Sequence, residues 1–219
     1  VLQVARRMIR LDLLDEAVKI LNHQVKYRLS GKDKIVNGDH LAAIYIINKK
    51  PQLAIDILNE TDLVNFGYLE HLERQRVKAK AYIDLGEYKE ALKILSSDDS
   101  ESARFIKEEC YFKLADWENF ILLAESAILP VIEIGKTLPE RLEREALRLA
   151  ISYSMLGKTE NINFMSEKLK TTNPALEKAI KLIGSTNETI DIQKLESDFK
   201  VDEVEENFKN TVNLLFDLK

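Results

Sequence analysis

Cysteine, glycine and proline are scarce in this chain, and each scarcity closes off a class of structure. A single cysteine, Cys110, cannot form an intramolecular disulfide framework. Nothing therefore asks for an oxidising compartment, and a reducing cytoplasm is the expected location, with a periplasmic or membrane-anchored parent protein as the alternative. With 7 Gly and 4 Pro in 219 residues, the punctuation that many short strands and hairpin turns require is missing, while the helix formers Leu, Lys, Glu and Ala abound. An all-α protein is expected. An excess of cations is also lacking: the formal charge of −5 argues against a general nucleic-acid or anionic-membrane surface. The longest apolar candidate, Phe120 to Gly135, falls short of the roughly 20 residues that span a bilayer. It is interrupted by Glu125, Pro130 and Glu133, so no membrane insertion is expected. The chain begins at Val1, already inside an amphipathic pattern, which reads as a piece of a longer protein whose targeting signals lie elsewhere.

What the chain does have is self-similarity, and that takes precedence over segment-by-segment reading. Met8 to Leu21, Tyr45 to Leu58 and Tyr82 to Leu95 align, which places Ala17, Ala54 and Ala91 at equal spacing. Each stretch reads as the end of one helix, a tight polar turn (Leu11-Asp12, Asn48-Lys49-Lys50, Gly86-Glu87), and a second helix with apolar residues at three- and four-residue steps. A small residue near the middle of the second helix lets the pair approach closely, while large neighbours such as Tyr82 and Leu95 fill the flanks. Further helix starts are signalled by Thr137-Leu138-Pro139-Glu140, read as a capping box, and by Asn173-Pro174.

These residues resemble the tetratricopeptide repeat. In the third unit Ala79, Tyr82, Gly86, Tyr88, Ala91 and Leu95 stand at the family's characteristic offsets. The first two units depart from it, with Asp12 and Lys49 in place of the turn glycine and Pro51 where an aromatic is usual. A fourth unit is carried by Tyr111, Ala115, Trp117 and Ala127, with Phe120 where the small residue belongs. A fifth rests on Ala150, Tyr153, Gly157 and the closing Pro174, with departures at Thr159 and Ile162. The resemblance covers residues 1–175. It implies a right-handed α-solenoid of about five helical hairpins over residues 1–184, acting in protein binding. Gln3 to Arg7, Leu11 to Ala17, Asp98-Asp99-Ser100 and Asp116-Trp117 are similar to long, uncharacterised tetratricopeptide proteins of alphaproteobacteria, which implies a bacterial origin and adds no activity. The frequency of Ile, Lys and Asn suits an AT-rich genome.

Residues 185–219 form a distinct acidic segment with nine Asp or Glu against four Lys. Val201, Val204, Phe208, Val212, Leu215 and Phe216 fall at helical steps there. The expected role is a C-terminal capping helix over the last hairpin, which such stacks need for solubility; a homodimerising or partner-docking helix is the alternative.

Signals for catalysis are weak. Gly135-Lys136-Thr137 and Gly157-Lys158-Thr159 end like phosphate-binding loops, but Pro130 and Ser152 occupy the position of the required leading glycine. His23, His40 and His71 lie far apart with no ligand spacing and read as surface or turn residues, so no metal or other cofactor is expected. Cys110 reads as a small buried hydrophobe, not a nucleophile. The carboxylate runs at Asp98 to Glu101, Glu108-Glu109 and Asp202 to Glu206 read as solvated and ionised, unsuited to acid/base work. No catalytic residue is assigned.

Binding is where the resemblance points. In tetratricopeptide stacks the first helix of each unit lines the concave face. That implies a groove of Arg6, Ile9 and Arg10; Asp39, Ala43, Ile46 and Ile47; Glu73, Arg76, Lys80 and Asp84; Phe105, Glu109, Phe112 and Lys113; and Arg144, Leu147 and Ile151. Among these Arg6, Arg10, Ile46, Ile47, Arg76, Lys80, Phe105, Phe112 and Arg144 are the expected contacts for an unidentified protein or peptide with apolar anchors and acidic flanks. The competing reading makes the Ile and Phe members ordinary core and the cations a solvated face. The chaperone-tail clamp of the family needs Lys and Asn where this chain offers Leu2, Arg6 and His40, which disfavours that specialisation. A non-catalytic interaction scaffold is therefore expected. The alternatives are a structural spacer, or the helical body of a larger enzyme or envelope protein whose active part lies elsewhere.

Overall fold

A computed structural model of the protein describes residues 2–62 and 67–185. Eleven α-helices and no strand occur among the described residues, so the all-α class holds. These residues divide into two compact units between Cys110 and Tyr111. The first unit contains α1 (Leu2–Arg10), α2 (Leu14–Tyr27), α3 (Gly31–Ile47), α4 (Pro51–Glu60), α5 (Tyr68–Asp84), α6 (Tyr88–Ile94) and most of α7 (Glu101–Lys113). The second contains α8 (Trp117–Glu133), α9 (Glu140–Met155), α10 (Thr159–Leu169) and α11 (Pro174–Ser185). In the first unit each helix from α1 to α5 packs on its successor, and α3 also packs on α5. In the second, α9 packs on α8, α10 and α11, and α10 packs on α8 and α11.

Five helix pairs are joined by turns of one geometry. Asp12, Lys49, Gly86, Ala115 and Gly157 all have positive φ, at 60°, 53°, 76°, 55° and 68°. The amide beyond each of them donates to a carbonyl five residues back: Leu13 to Met8 (2.9 Å), Lys50 to Tyr45 (2.8 Å), Glu87 to Tyr82 (2.8 Å), Asp116 to Tyr111 (2.9 Å) and Lys158 to Tyr153 (2.8 Å). The positive-φ residue itself donates three back, as in Gly86 to Ile83 (2.9 Å) and Ala115 to Phe112 (3.1 Å). This is the double hydrogen bond of a left-handed helix cap, which satisfies carbonyls the helix leaves orphaned. Gly86 and Gly157 adopt the conformation without a steric penalty, whereas Asp12, Lys49 and Ala115 carry a Cβ into it.

Counting from these turns, the packing positions fall in register. Five residues past each turn stand Ala17, Ala54, Ala91, Phe120 and Ile162, and nine past stand Leu21, Leu58, Leu95, Ala124 and Ser166; all ten are buried. Phe120, which occupies a small-residue position, is fully enclosed, with its ring 5.3 Å from that of Phe112. Trp117 meets Phe112 edge-on at 5.4 Å. The first unit has two apolar clusters, one on Leu21, Leu41, Ile44 and Leu58 and a smaller one on Ala79, Ala91, Leu95 and Cys110; the second unit has a single larger one.

Helices start at both places expected from capping residues, but only one of the two caps forms. Asn173 caps α11, its Oδ1 accepting the Leu176 amide at 3.2 Å, with Pro174 in the first helical position. Thr137 does not cap α9. Pro139 holds the N-cap position and the helix begins at Glu140, because a residue preceding proline is driven out of helical geometry and Leu138 cannot open the first turn. The pattern from Val201 to Phe216, and with it the capping and dimerisation readings, lies outside the described residues.

Candidate functional site

On the first-helix face of the first unit, Arg6 and Ile9 are half-buried on α1 and Arg10 is exposed. Adjacent isoleucines on α3 part company: Ile47 is half-buried, whereas Ile46 is only 2 % exposed and belongs to the core. Phe105 on α7 is half-buried with the Arg104 guanidinium 4.2 Å from its ring centroid, a cation–π contact.

The expected binding cations on α5 have partners within the unit. Arg76 Nη1 donates to Asp98 Oδ2 at 2.7 Å and to Ser100 Oγ at 3.2 Å. Asp98 also accepts the Ser100 amide at 3.0 Å, and Lys107 Nζ donates to the Asp98 carbonyl at 2.7 Å. Burial pushes the Asp98 carboxyl up, but hydrogen bonds from Ser100 and Arg76 outweigh it and hold it below the ordinary carboxylate range. Arg76 thus pins the α6–α7 connection onto α5. Lys80 Nζ donates to Asp84 Oδ1 at 2.6 Å, one turn along the same helix. Of the expected contacts, Ile46 therefore lies in the core, and Arg76 and Lys80 are engaged within the unit.

A buried polar node escaped the sequence reading. Arg74, 4 % exposed, donates to Asp39 Oδ1, to the Leu58 carbonyl and, at 2.6 Å, to Thr61 Oγ1. Thr61 Oγ1 in turn donates to the Ile57 carbonyl at 2.6 Å. One guanidinium therefore ties α3, the end of α4 and α5 together. Gly38 makes room for it, since a Cβ there would stand 2.5 Å from Thr61 Oγ1. Burial raises the Asp39 carboxyl to about 6; Arg74 opposes the rise, and the nearby carboxylates of Glu73 and Asp62 add to it. The only sequence signal for this node was a glycine in the middle of a helical pattern.

In the second unit Phe112 is 5 % exposed, packed on Trp117 and Phe120, with the Arg148 guanidinium 4.6 Å from its ring centroid. It is core, not an exposed anchor. Leu147 and Ile151 are likewise buried. Arg144 is half-buried, its Nη2 3.4 Å from Glu145 Oε1. Tyr153 Oη donates to Glu125 Oε1 at 2.6 Å, and burial together with that bond raises the phenol above its ordinary range.

Other expectations about chemistry resolve by placement. Gly135 and Gly157 of the two Gly-Lys-Thr runs have φ of 69° and 68° and terminate α8 and α9, which accounts for them as helix caps. Cys110 is fully buried, and burial pushes its thiol up to about 12, with Glu109 adding to the rise. His23 and His71 are exposed, but His40 is buried in α3 with Nδ1 2.5 Å from the Val36 carbonyl, contrary to its reading as a surface residue. Asp98, Glu108 and Glu109 are buried, not solvated; Glu108 pairs with Arg104 one turn earlier. Among the described residues no group of three or more His, Cys, Asp or Glu is placed to hold a metal ion, and no helix is long and apolar enough to cross a membrane. Comparison with models of known families, with curated proteins and with solved structures gives no match.

Proposed function

We propose that this chain is a non-catalytic, bacterial protein-binding scaffold whose hairpins stack within each unit as a right-handed α-solenoid of tetratricopeptide type. One observation carries the reading: five successive helix pairs share the same positive-φ turn and the same buried positions five and nine residues beyond it. A chain that repeats one supersecondary unit, each copy covering its neighbour, builds an extended surface suited to holding a segment of another protein. In this reading Ile47 and Phe105 are the apolar anchors, and Arg6 and Arg10 supply positive potential toward acidic flanks of the bound segment. Arg76, Lys80, Ile46 and Phe112 serve the fold.

Buried apolar contacts hold such a complex, whereas peripheral charge mainly sets the association rate. A partner captured from native cell extract should therefore dissociate faster from the Phe105→Ala and Ile47→Ala variants. It should associate more slowly, and with less salt sensitivity, with the Arg10→Glu variant. A partner whose kinetics ignore all three substitutions places binding elsewhere. No partner at all, with catalytic activity confined to a longer chain, favours the enzyme-body alternative.

A further inference from the structure

The net charge of −5 conceals a local reversal. From Lys19 to Lys34 the chain has five Lys or Arg and one acid, Asp33, a net of +4 in a stretch that also contains His23 and Tyr27. This stretch covers the later part of α2 and the entry into α3. α2 buries Ala17, Leu21 and Val25 along one face. On the opposite face Lys19, His23 and Lys26 follow one another at three- and four-residue steps, about one 5.4 Å turn apart. All three are exposed, as are Arg28 beyond the helix end and Lys32 in the first turn of α3. Tyr27 is 73 % exposed, its ring 5.3 Å from that of His23 and tilted 52° to it. At the margins, Lys34 lies 3.8 Å from Glu60, and Lys19 stands one turn past Asp15, whose carboxylate accepts from Asn48 and Lys50.

Cations near the end of α2 favour its negative pole, which accounts for Lys26 or Arg28, but a helix pole has no use for an aromatic ring held in water. A row of cations at one-turn steps suits a linear polyanion. Rings set among those cations suit a polyanion whose units carry both a negative charge and a π-face. An acidic peptide has the charge alone, whereas a nucleic-acid strand has both. Its bases reach the rings only when unpaired, so the strand is single. We infer that the outer face of α2 binds single-stranded nucleic acid: Lys19, Lys26, Arg28 and Lys32 hold phosphates, and Tyr27, beside His23, stacks a base. This surface lies on a second helix and its flank, whereas the protein contacts proposed above lie on first helices, so the two readings stand or fall separately.

Fluorescence anisotropy of a labelled oligothymidylate of about 20 nucleotides, titrated with the 219-residue chain, tests this. The logarithm of affinity should fall with the logarithm of salt concentration at a slope of about −3, roughly −0.7 for each of four phosphates. Arg28→Ala should weaken binding and shallow that slope by about 0.7. Tyr27→Ala should weaken binding by about fivefold or more and leave the slope unchanged, because stacking releases no counterions. Tyr27→Leu, which keeps bulk without a π-face, should weaken it in the same way, and Tyr27→Trp should restore it. Lys89→Glu, an exposed cation changed on α6, should have little effect. Absence of binding at low salt, indifference to Tyr27→Ala, or equal weakening by Lys89→Glu would each overturn the inference. So would polyglutamate competing as well as an unlabelled strand, an outcome that would assign the patch to an acidic protein segment.

Discussion

In the first unit the residue five past each turn is alanine and the residue nine past is leucine: Ala17 with Leu21, Ala54 with Leu58, Ala91 with Leu95. In the second unit the order of bulk reverses, to Phe120 with Ala124 and Ile162 with Ser166. These two positions are about one helical turn apart and face the same neighbours, so what the packing preserves is the pair's combined volume, not the size of either member. Buried cations differ in a parallel way. Arg74 in the first unit is held by a carboxylate, a hydroxyl and a carbonyl, whereas Arg148 in the second lies over the Phe112 ring. The units thus share a turn and a frame but not the side chains that fill it.

The sharpest way to break this comparison is to empty the reversed site. Phe120→Ala should destabilise the chain by roughly 3–5 kcal/mol in urea unfolding, because Ala124 beside it cannot fill the void. A loss below about 1 kcal/mol would mean that the second unit relaxes toward the first unit's arrangement. Next in size is a pH effect particular to the first unit. The folded Asp39 carboxyl is raised to about 6 from 3.8, so folding takes up a proton between those values. Its stabilising contribution is complete below about pH 4 and is lost as pH rises through 6, amounting to as much as about 3 kcal/mol. Asp39→Asn should remove this slope from unfolding free energies measured between pH 4 and pH 7.5, and an unchanged slope would assign it to other groups.

Ala91→Leu should cost roughly 1–3 kcal/mol through overpacking. The compensated exchange Ala91→Phe with Leu95→Ala should recover part of what Ala91→Phe alone loses, and denaturation midpoints of the three variants decide whether the reversed order is portable between units. The smallest effect concerns the shared turn. Ala115→Gly should stabilise by about 0.5–1 kcal/mol by relieving a positive-φ alanine, and Gly157→Ala should lose at least as much. Opposite shifts in melting midpoint are the expected readout.

The turns were legible in the sequence because a left-handed cap has a chemical signature at Gly86, and the repeat frame carries that position onto Asp12 and Lys49, where no glycine marks it. The small-residue register was legible for the same reason. Exposure within α3 was not: Leu41 to Ile46 is an unbroken buried run, so periodicity carries no information on which side chain reaches the surface, and Ile46 and Ile47 look alike. The engagement of Arg76 was hidden because its partner Asp98 stands in another connection and meets it only through packing. The carboxylates of Asp98 and Glu108 were misjudged for a related reason: polar neighbours in sequence say little about burial when a cation from another helix, Arg76, or from a turn away, Arg104, covers the group.

Cys110 and Trp117 are the chain's one thiol and one indole, and they fall on opposite sides of the division between the units. With its thiol buried and pushed up to about 12, Cys110 is inert to alkylation at neutral pH until the surrounding helices part, so its labelling rate counts opening events of the first unit. Trp117, edge-on to Phe112, reports by its emission on the integrity of the second. The unmodified protein therefore carries two separate clocks, through which the loosening of each half can be timed without adding a probe.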